Sequence, residues 1–275
     1  FPSNFIDPVS IGWVPTIELN KVVLPDPFGP INPTIDPCST FKEIFSLKGN
    51  KGLGTNFYTP FPKFWDNATI APATFSSIEI VATENNTTVA ITPRANIIGH
   101  VMNSTFTIFL QEGESYSARD IDVNAASSLA GSIVSSDEPI SVTIFSGAVE
   151  NTGCNSTLGE QIVSTPFLGT DFIVNKAQGS NERIYILGTQ NSTNISVENS
   201  TTTNTLINWS ETYEYVLTDG INYIETSKPV YLIHVGGNGC NLGMTQVPNV
   251  SCAGKYEQNF IRESSDSLGS NSSLG

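Results

Sequence analysis

Histidine is nearly absent from this chain: His100 and His234 are the only two in 275 residues. Cysteine is scarce as well, at four, and no two stand as a Cys-X-X-Cys pair. Imidazole and thiolate are the usual zinc ligands and the usual bases or nucleophiles of acyl transfer, so His/Cys metal sites and His-based catalysis have little to draw on. There is no Gly-X-Ser-X-Gly elbow and no Asp-X-Asp/Asn-X-Asp/Asn-Gly calcium loop. The closest acidic cluster, Arg119-Asp120-Ile121-Asp122, reads as a solvated loop. His100, in a Gly-bearing loop, and His234, in an apolar run, read as structural. Asp and Glu are plentiful, but no spacing selects a pair for glycoside cleavage. The expectation is a chain that is not an enzyme and has no cofactor and no metal site.

Basic residues are also few, 12 against 26 acidic, for a net charge of −14. A nucleic-acid binder needs a basic face to displace counterions, and a peripheral lipid anchor needs a polybasic stretch, so both classes are excluded. No apolar run approaches the roughly 18 residues of a membrane-spanning helix.

What the chain has in abundance is Asn, Ser and Thr. Asn-X-Ser/Thr acceptors occur at Asn67, Asn85, Asn86, Asn103, Asn155, Asn191, Asn194, Asn199, Asn208, Asn249 and Asn271, about twice the number its composition gives by chance. Such acceptors mark surface loops of secreted proteins. Asn85 and Asn86 overlap, so one glycan is expected there, at Asn86; with Asn67, Asn103, Asn155, Asn191, Asn194, Asn199, Asn208 and Asn249 it forms the candidate set. The four cysteines, Cys38, Cys154, Cys240 and Cys252, allow three disulfide connectivities. A Cys240–Cys252 bridge would close a short Gly/Pro-bearing loop and stabilise by about 3 kcal/mol. Cys38 and Cys154 would then remain for each other, tying the N-terminal region to the middle of the chain.

Residues 1–48 hold half of the sixteen prolines, and Pro removes the backbone donors a sheet interior needs. Only Thr16–Leu24 looks like a strand there, so the region reads as an extended arm laid across its own domain or a neighbouring subunit. From Gly49 onward, short runs rich in Ile, Val, Thr, Phe and Tyr alternate with turn clusters, which is the β pattern. Arg119–Leu129 is the one stretch compatible with a helix.

Internal repetition organises the rest. Gly54-Thr55-Asn56-Phe57 matches Gly169-Thr170-Asp171-Phe172. The run Ile78–Thr87 matches Ile184–Thr193, Gly113–Tyr116 loosely matches Ser210–Tyr213, and Ser136–Ile140 matches Thr226–Val230. The offsets shrink steadily, so the second copy has shorter loops. The expected fold is all-β, with two tandem related β-sandwich-like lobes of about seven strands each after an extended Pro-rich arm; a β-propeller is the alternative. The expected domains are the arm 1–48, a first lobe 49–148, a second lobe 149–262 and a polar tail 263–275.

The runs IEIVATENNTTVAITP, GSIVSSDEPISVTIFSG, GEQIVSTPFLGTDFIV and KPVYLIHVGGNGCNLG…PNVSCAG resemble the N-terminal domain family of IgGFc-binding proteins, over about Gly49 to Arg262. That family occurs in large secreted mucin-like animal proteins and in bacterial surface adhesins. The resemblance implies an extracellular location and a role in mucus, matrix or adhesion, and it brings no catalytic residues. Cys240 and Cys252 match its cysteine-bearing segment, and Cys154 matches a cysteine ahead of the EQ…P-GT-F element; residues 1–48 have no counterpart. The expected function is therefore a non-enzymatic extracellular structural or adhesive glycoprotein. It would act through protein partners, copies of itself among them, with fibre assembly through the arm; the alternative is a module that binds glycan or immunoglobulin Fc.

Overall fold

A computed structural model describes residues 52–62, 66, 74–124, 127–151, 154–177, 179, 182–238 and 241–250, together with the backbone of Leu19–Val23 and Glu257–Ile261. The chain divides into two units, Ile35–Ala253 and a smaller one made of Phe1–Thr34 with Gly254–Gly275. In the smaller unit β1 (Leu19–Val23) pairs antiparallel with β16 (Glu257–Ile261). The strand expected in the arm is thus present and has a partner within its own chain. The polar tail 263–275 lies outside the described residues.

The larger unit is all-β and holds two seven-stranded sheets. The first comprises β2 (Leu53–Tyr58), β3 (Ser76–Ala82), β4 (Thr87–Thr92), β5 (Phe106–Leu110), β6 (Ser115–Arg119), β7 (Ile133–Asn151) and β8 (Cys154–Ile162). The second comprises β9 (Gly169–Asn175), β10 (Arg183–Gly188), β11 (Thr193–Glu198), β12 (Thr202–Ile207), β13 (Thr212–Val216), β14 (Ile221–Asn238) and β15 (Asn241–Gln246). A 3₁₀ turn, Thr165–Phe167, joins them. The step between sheets falls after Ile162, because β8 pairs with β7; that is later than the position 148 read from the sequence offsets.

Both sheets are built on one plan. The first runs β5-β4-β7-β3-β6, with β2 and β8 also on β7; the second runs β12-β11-β14-β10-β13, with β9 and β15 also on β14. The long strands β7 and β14 are the spines. Along β7 the partner is β4 over Ser136 to Ile133 and β3 from Ile140 onward, so the strand changes company at Asp137–Pro139. Along β14 the same change, from β11 to β10, falls at Ser227–Pro229. A strand that passes between layers at a bend makes the corner of a sandwich. Pro fits there because its missing N–H costs no ladder bond. Its carbonyl is used: Thr83 Oγ1 donates to Pro139 O and Thr189 Oγ1 to Pro229 O, both at 2.5 Å.

The hairpin turns repeat as well. Asn86 and Ser192 take positive φ (60° and 55°) at matching positions, and so do Gly113 and Ser210 (79° and 66°). Thr87 Oγ1 donates to Glu84 O, and Thr193 Oγ1 to Gln190 O. Glu114 accepts from the Gln111 N–H, and Glu211 from the Asn208 N–H. These side chains bond nearby backbone, which is what keeps such residues in turns.

Alternation along the strands fills each lobe. Ile78, Ile80, Val89, Ile91, Val134, Ile140, Val142 and Ile144 are buried in the first. Phe172, Ile184, Ile186, Ile195, Val197, Ile224 and Leu232 are buried in the second. β10 and β14 are buried on both faces: Tyr185, Ile233 and Val235 turn the other way and meet Val149 and Leu158 of the first lobe. The lobes also join through Tyr231 OH to Val163 O (2.7 Å) and Leu242 N–H to Ser156 Oγ (3.1 Å).

The expected helix over Arg119–Leu129 is not observed as an α-helix among its described residues; only Ser127 is helical, in a 3₁₀ turn with its N–H on Asn124 O. Arg119 ends β6, and Asp120 bridges to Ile97. Asp120 and Asp122 each accept the N–H two residues on, at 2.8 and 3.0 Å. That Asx geometry competes with a helix and wins here.

Candidate functional site

A cleft of about 600 Å³ lies at one end of β14 and is walled by Ala177, Gly179, Glu182, His234, Gly236 and Met244. Glu182 precedes β10 and is 1% exposed. Its carboxylate accepts from Ala177 N–H (2.9 Å) and Gly179 N–H (2.7 Å) and meets His234 Nε2 at 3.2 Å. Burial pushes this carboxyl up. The two N–H donors and the His234 charge outweigh it and hold the group below the usual carboxylate range. A Cβ on Gly236 would stand 2.7 Å from Glu182 Cγ, so the glycines of the wall are what admit the acid.

The first lobe shows what this position is in the shared plan. Ser76 pairs with Ser146 across β3 and β7, and their hydroxyls meet at 3.0 Å. In the second lobe the same station holds a large acid against a glycine. The exchange keeps the volume and adds an anion tied to an imidazole. Chemically the cleft offers one partly exposed histidine edge beside a fixed carboxylate. Thr245, the cross-strand partner of His234, lines it without a hydrogen bond to the ring. The arrangement can bind a polar group; it does not assemble a nucleophile, base and orienting group.

His100 is stacked on Phe106 at 3.5 Å between ring centroids. Asp120, from the acidic cluster noted in the sequence, is buried, and burial first, then the Asp122 charge, raises its pKa to about 6. Among the described residues no group of three or more His, Cys, Asp or Glu is arranged for a metal ion. Five aromatics, Phe57, Tyr58, Phe61, Phe64 and Trp65, crowd into nine residues; Phe57 and Phe61 are core, and Tyr58 packs edge-on against Trp209 at 6.3 Å. Phe64 and Trp65 lie outside the described residues.

The glycan acceptors separate into two kinds. Asn86, Asn103, Asn155, Asn191, Asn194 and Asn208 are exposed. Asn86, Asn103, Asn191 and Asn208 accept at Oδ1, from Gln111, Arg94, Trp209 and Ser192 respectively. Asn199 is different: its Nδ2 donates to Asp219 O (3.1 Å) and Ile221 O (3.0 Å). Asn249 packs its amide on Gly169, where a Cβ would lie 1.8 Å from Nδ2. Sequence patterns do not carry this distinction, because it depends on tertiary neighbours. Asn67, Cys38, Cys240 and Cys252, and the side chain of Cys154, lie outside the described residues.

The described residues form two antiparallel β lobes with a cleft and open sheet faces. Residues 44–268 match the family described as IgGFc binding protein, and the chain belongs to that family. The family is one of extracellular protein-binding modules. No curated protein and no solved structure matches the chain. No helix among the described residues is long and apolar enough to cross a membrane.

Proposed function

We propose that this chain works outside the cell as an adhesive or matrix module that holds a protein partner, with immunoglobulin Fc as the first candidate. The family match over residues 44–268 carries the reading. The acidic, sequon-rich surface supports it, since such a surface suits an oxidising, glycosylating route. In this reading Cys240 pairs with Cys252 and Cys38 with Cys154. N-glycans stand on the exposed acceptors, Asn86, Asn103, Asn155, Asn191, Asn194 and Asn208, and on Asn67. The arm 1–48 takes part in assembly by exchanging its β1–β16 pairing between copies.

Intact mass of the chain secreted from eukaryotic cells, before and after deglycosylation and with and without reductant, tests the extracellular part. The expected result is several glycans and two reducible bridges; bare asparagines with four free thiols would defeat it. Deleting residues 1–36 tests the arm: assembly should be lost, and unchanged polymer length would count against it.

A further inference from the structure

The two lobes are packed head to tail, and this leaves one face without a counterpart. The outer face of β2 and β7 in the first lobe is covered by the second lobe. There Tyr58 meets Trp209, Arg94 lies 5.3 Å above the Trp209 ring, and Ser210 Oγ reaches Gly131 O at 3.4 Å. The register of β9 on β14 repeats that of β2 on β7 pair for pair. Tyr58↔Ile133 and Asn56↔Ser135 correspond to Ile173↔Tyr223 and Asp171↔Glu225. The second lobe therefore owns the same face, with none of the described residues of the chain's larger unit seated on it: Ile173 is 51% and Ile221 64% exposed.

Its chemistry differs from the covered face. Ile173 and Ile221 sit diagonally on neighbouring strands with Tyr223 between them. Tyr223 OH donates to Asp171 Oδ1 at 2.8 Å, and Glu225 and Glu198 stand near enough that their charges help push the phenol up to about 12. Asp171 and Glu225 are direct cross-strand partners, an arrangement of like charges that costs stability unless a cation is supplied. Lys176, at the end of β9, is spent on Asp219 at 2.6 Å. Asn199, the acceptor next to Glu198, has its amide tied to Ile221 O and Asp219 O, so no glycan is accommodated there.

We infer that the β9–β14 outer face is a docking surface for a basic protein turn, one that presents an aromatic side chain beside Arg or Lys. This rests on the protein-binding reading and says where and what it binds. The aromatic part follows from the first lobe, where Trp209 fills the equivalent station. The cationic part follows from three carboxylates at one apolar patch, Asp171, Glu225 and Glu198. The Asp171 carboxylate accepts from the neutral hydroxyls of Tyr223 and Thr170, so the patch carries net negative charge that steers and holds opposite charge. A second copy of this chain does not fit. Its free turns carry Glu84, Glu112, Glu114 and Glu138, and acid would be set against acid. Nor can the partner come as close as Ser210 does to Gly131. The position two before Tyr223 is Ile221, where the position two before Ile133 is that glycine, so the turn rests on the Ile221 side chain.

The test uses isotope-labelled full chain and a disulfide-cyclised hairpin peptide with Trp-Arg at its turn, with Trp-Glu and Ala-Arg peptides as controls. Amide shifts should map to 171–175 and 221–225, weaken with salt, and be at least about tenfold weaker for either control. The double variant Ile173→Ser/Ile221→Ser changes only exposed side chains; it should melt like the parent and lose the peptide by a similar factor. No shifts, shifts elsewhere, or equal binding of the Trp-Glu peptide would overturn the inference. A protein partner that binds parent and double variant alike would overturn this face while leaving the binding-module reading standing.

Discussion

Asp120 makes the fold's stability depend on pH in a direction opposite to that of most carboxylates. It is buried between the end of β6 and the 96–100 loop, and its pKa is raised from 3.8 to about 6 by burial and by the Asp122 charge. A group whose folded pKa lies above its unfolded value favours the folded state while protonated. Its contribution is complete below about pH 4 and is lost as pH rises through 6. A shift of about two units corresponds to about 3 kcal/mol withdrawn at pH 8, an upper figure because Asp122 is solvated. Asp120→Asn keeps an Oδ1 for the Asp122 N–H, 2.8 Å away in the parent, and removes the charge. Urea unfolding of parent and variant should coincide at pH 4 and separate by up to about 3 kcal/mol at pH 8, the variant being the more stable. An equal difference at both pH values, or a less stable variant at pH 8, would refute the assignment of a buried, reluctant acid.

Three further outcomes follow from the same geometry. Glu182→Ala removes a carboxylate that accepts two backbone N–H groups, and should cost about 3 kcal/mol in denaturant unfolding at pH 7. Because Glu182 is held below the ordinary range, its contribution is present above pH 4 to 5 and is lost on acidification through its folded pKa, so the cost should shrink at low pH. Gly131→Ala places a Cβ 2.1 Å from Ser210 Oγ at a positive φ, and should loosen the lobe contact, seen as faster amide exchange around Trp209. Glycopeptide mapping of secreted chain should find Asn194 and Asn208 occupied and Asn199 bare, since a glycan on Nδ2 would displace a donor shared with two carbonyls.

Much of the fold was legible because the duplicated segments carry turn chemistry. Thr83 and Thr189, or the Asp137-Glu138-Pro139 and Ser227-Lys228-Pro229 bends, leave the same polar signature twice, and apolar runs between them alternate with period two. The bends misled in one respect. Pro139 and Pro229 each sit inside a spine that continues through the corner, so β7 and β14 are far longer than the short apolar runs of the sequence. Arg119–Leu129 misled because Asp120 and Asp122 spend their side chains on the backbone. The Glu182–His234 cleft could not be read in advance: Glu182 precedes β10 and His234 lies on β14, 52 residues on, and only the Gly236 station opposite Glu182 makes room for the acid. A signal existed in hindsight, since the repeat sets Ser76 against Glu182 and Ser146 against Gly236, a paired change in size at facing positions.

The most direct measurement is amide hydrogen exchange on the full chain titrated with immunoglobulin Fc. The expected result is a saturable complex in which 171–175 and 221–225 gain protection while the turns at Glu84 and Glu112 exchange as before. A chain that forms no complex with Fc would contradict the partner, and protection confined to those acidic turns would contradict the face.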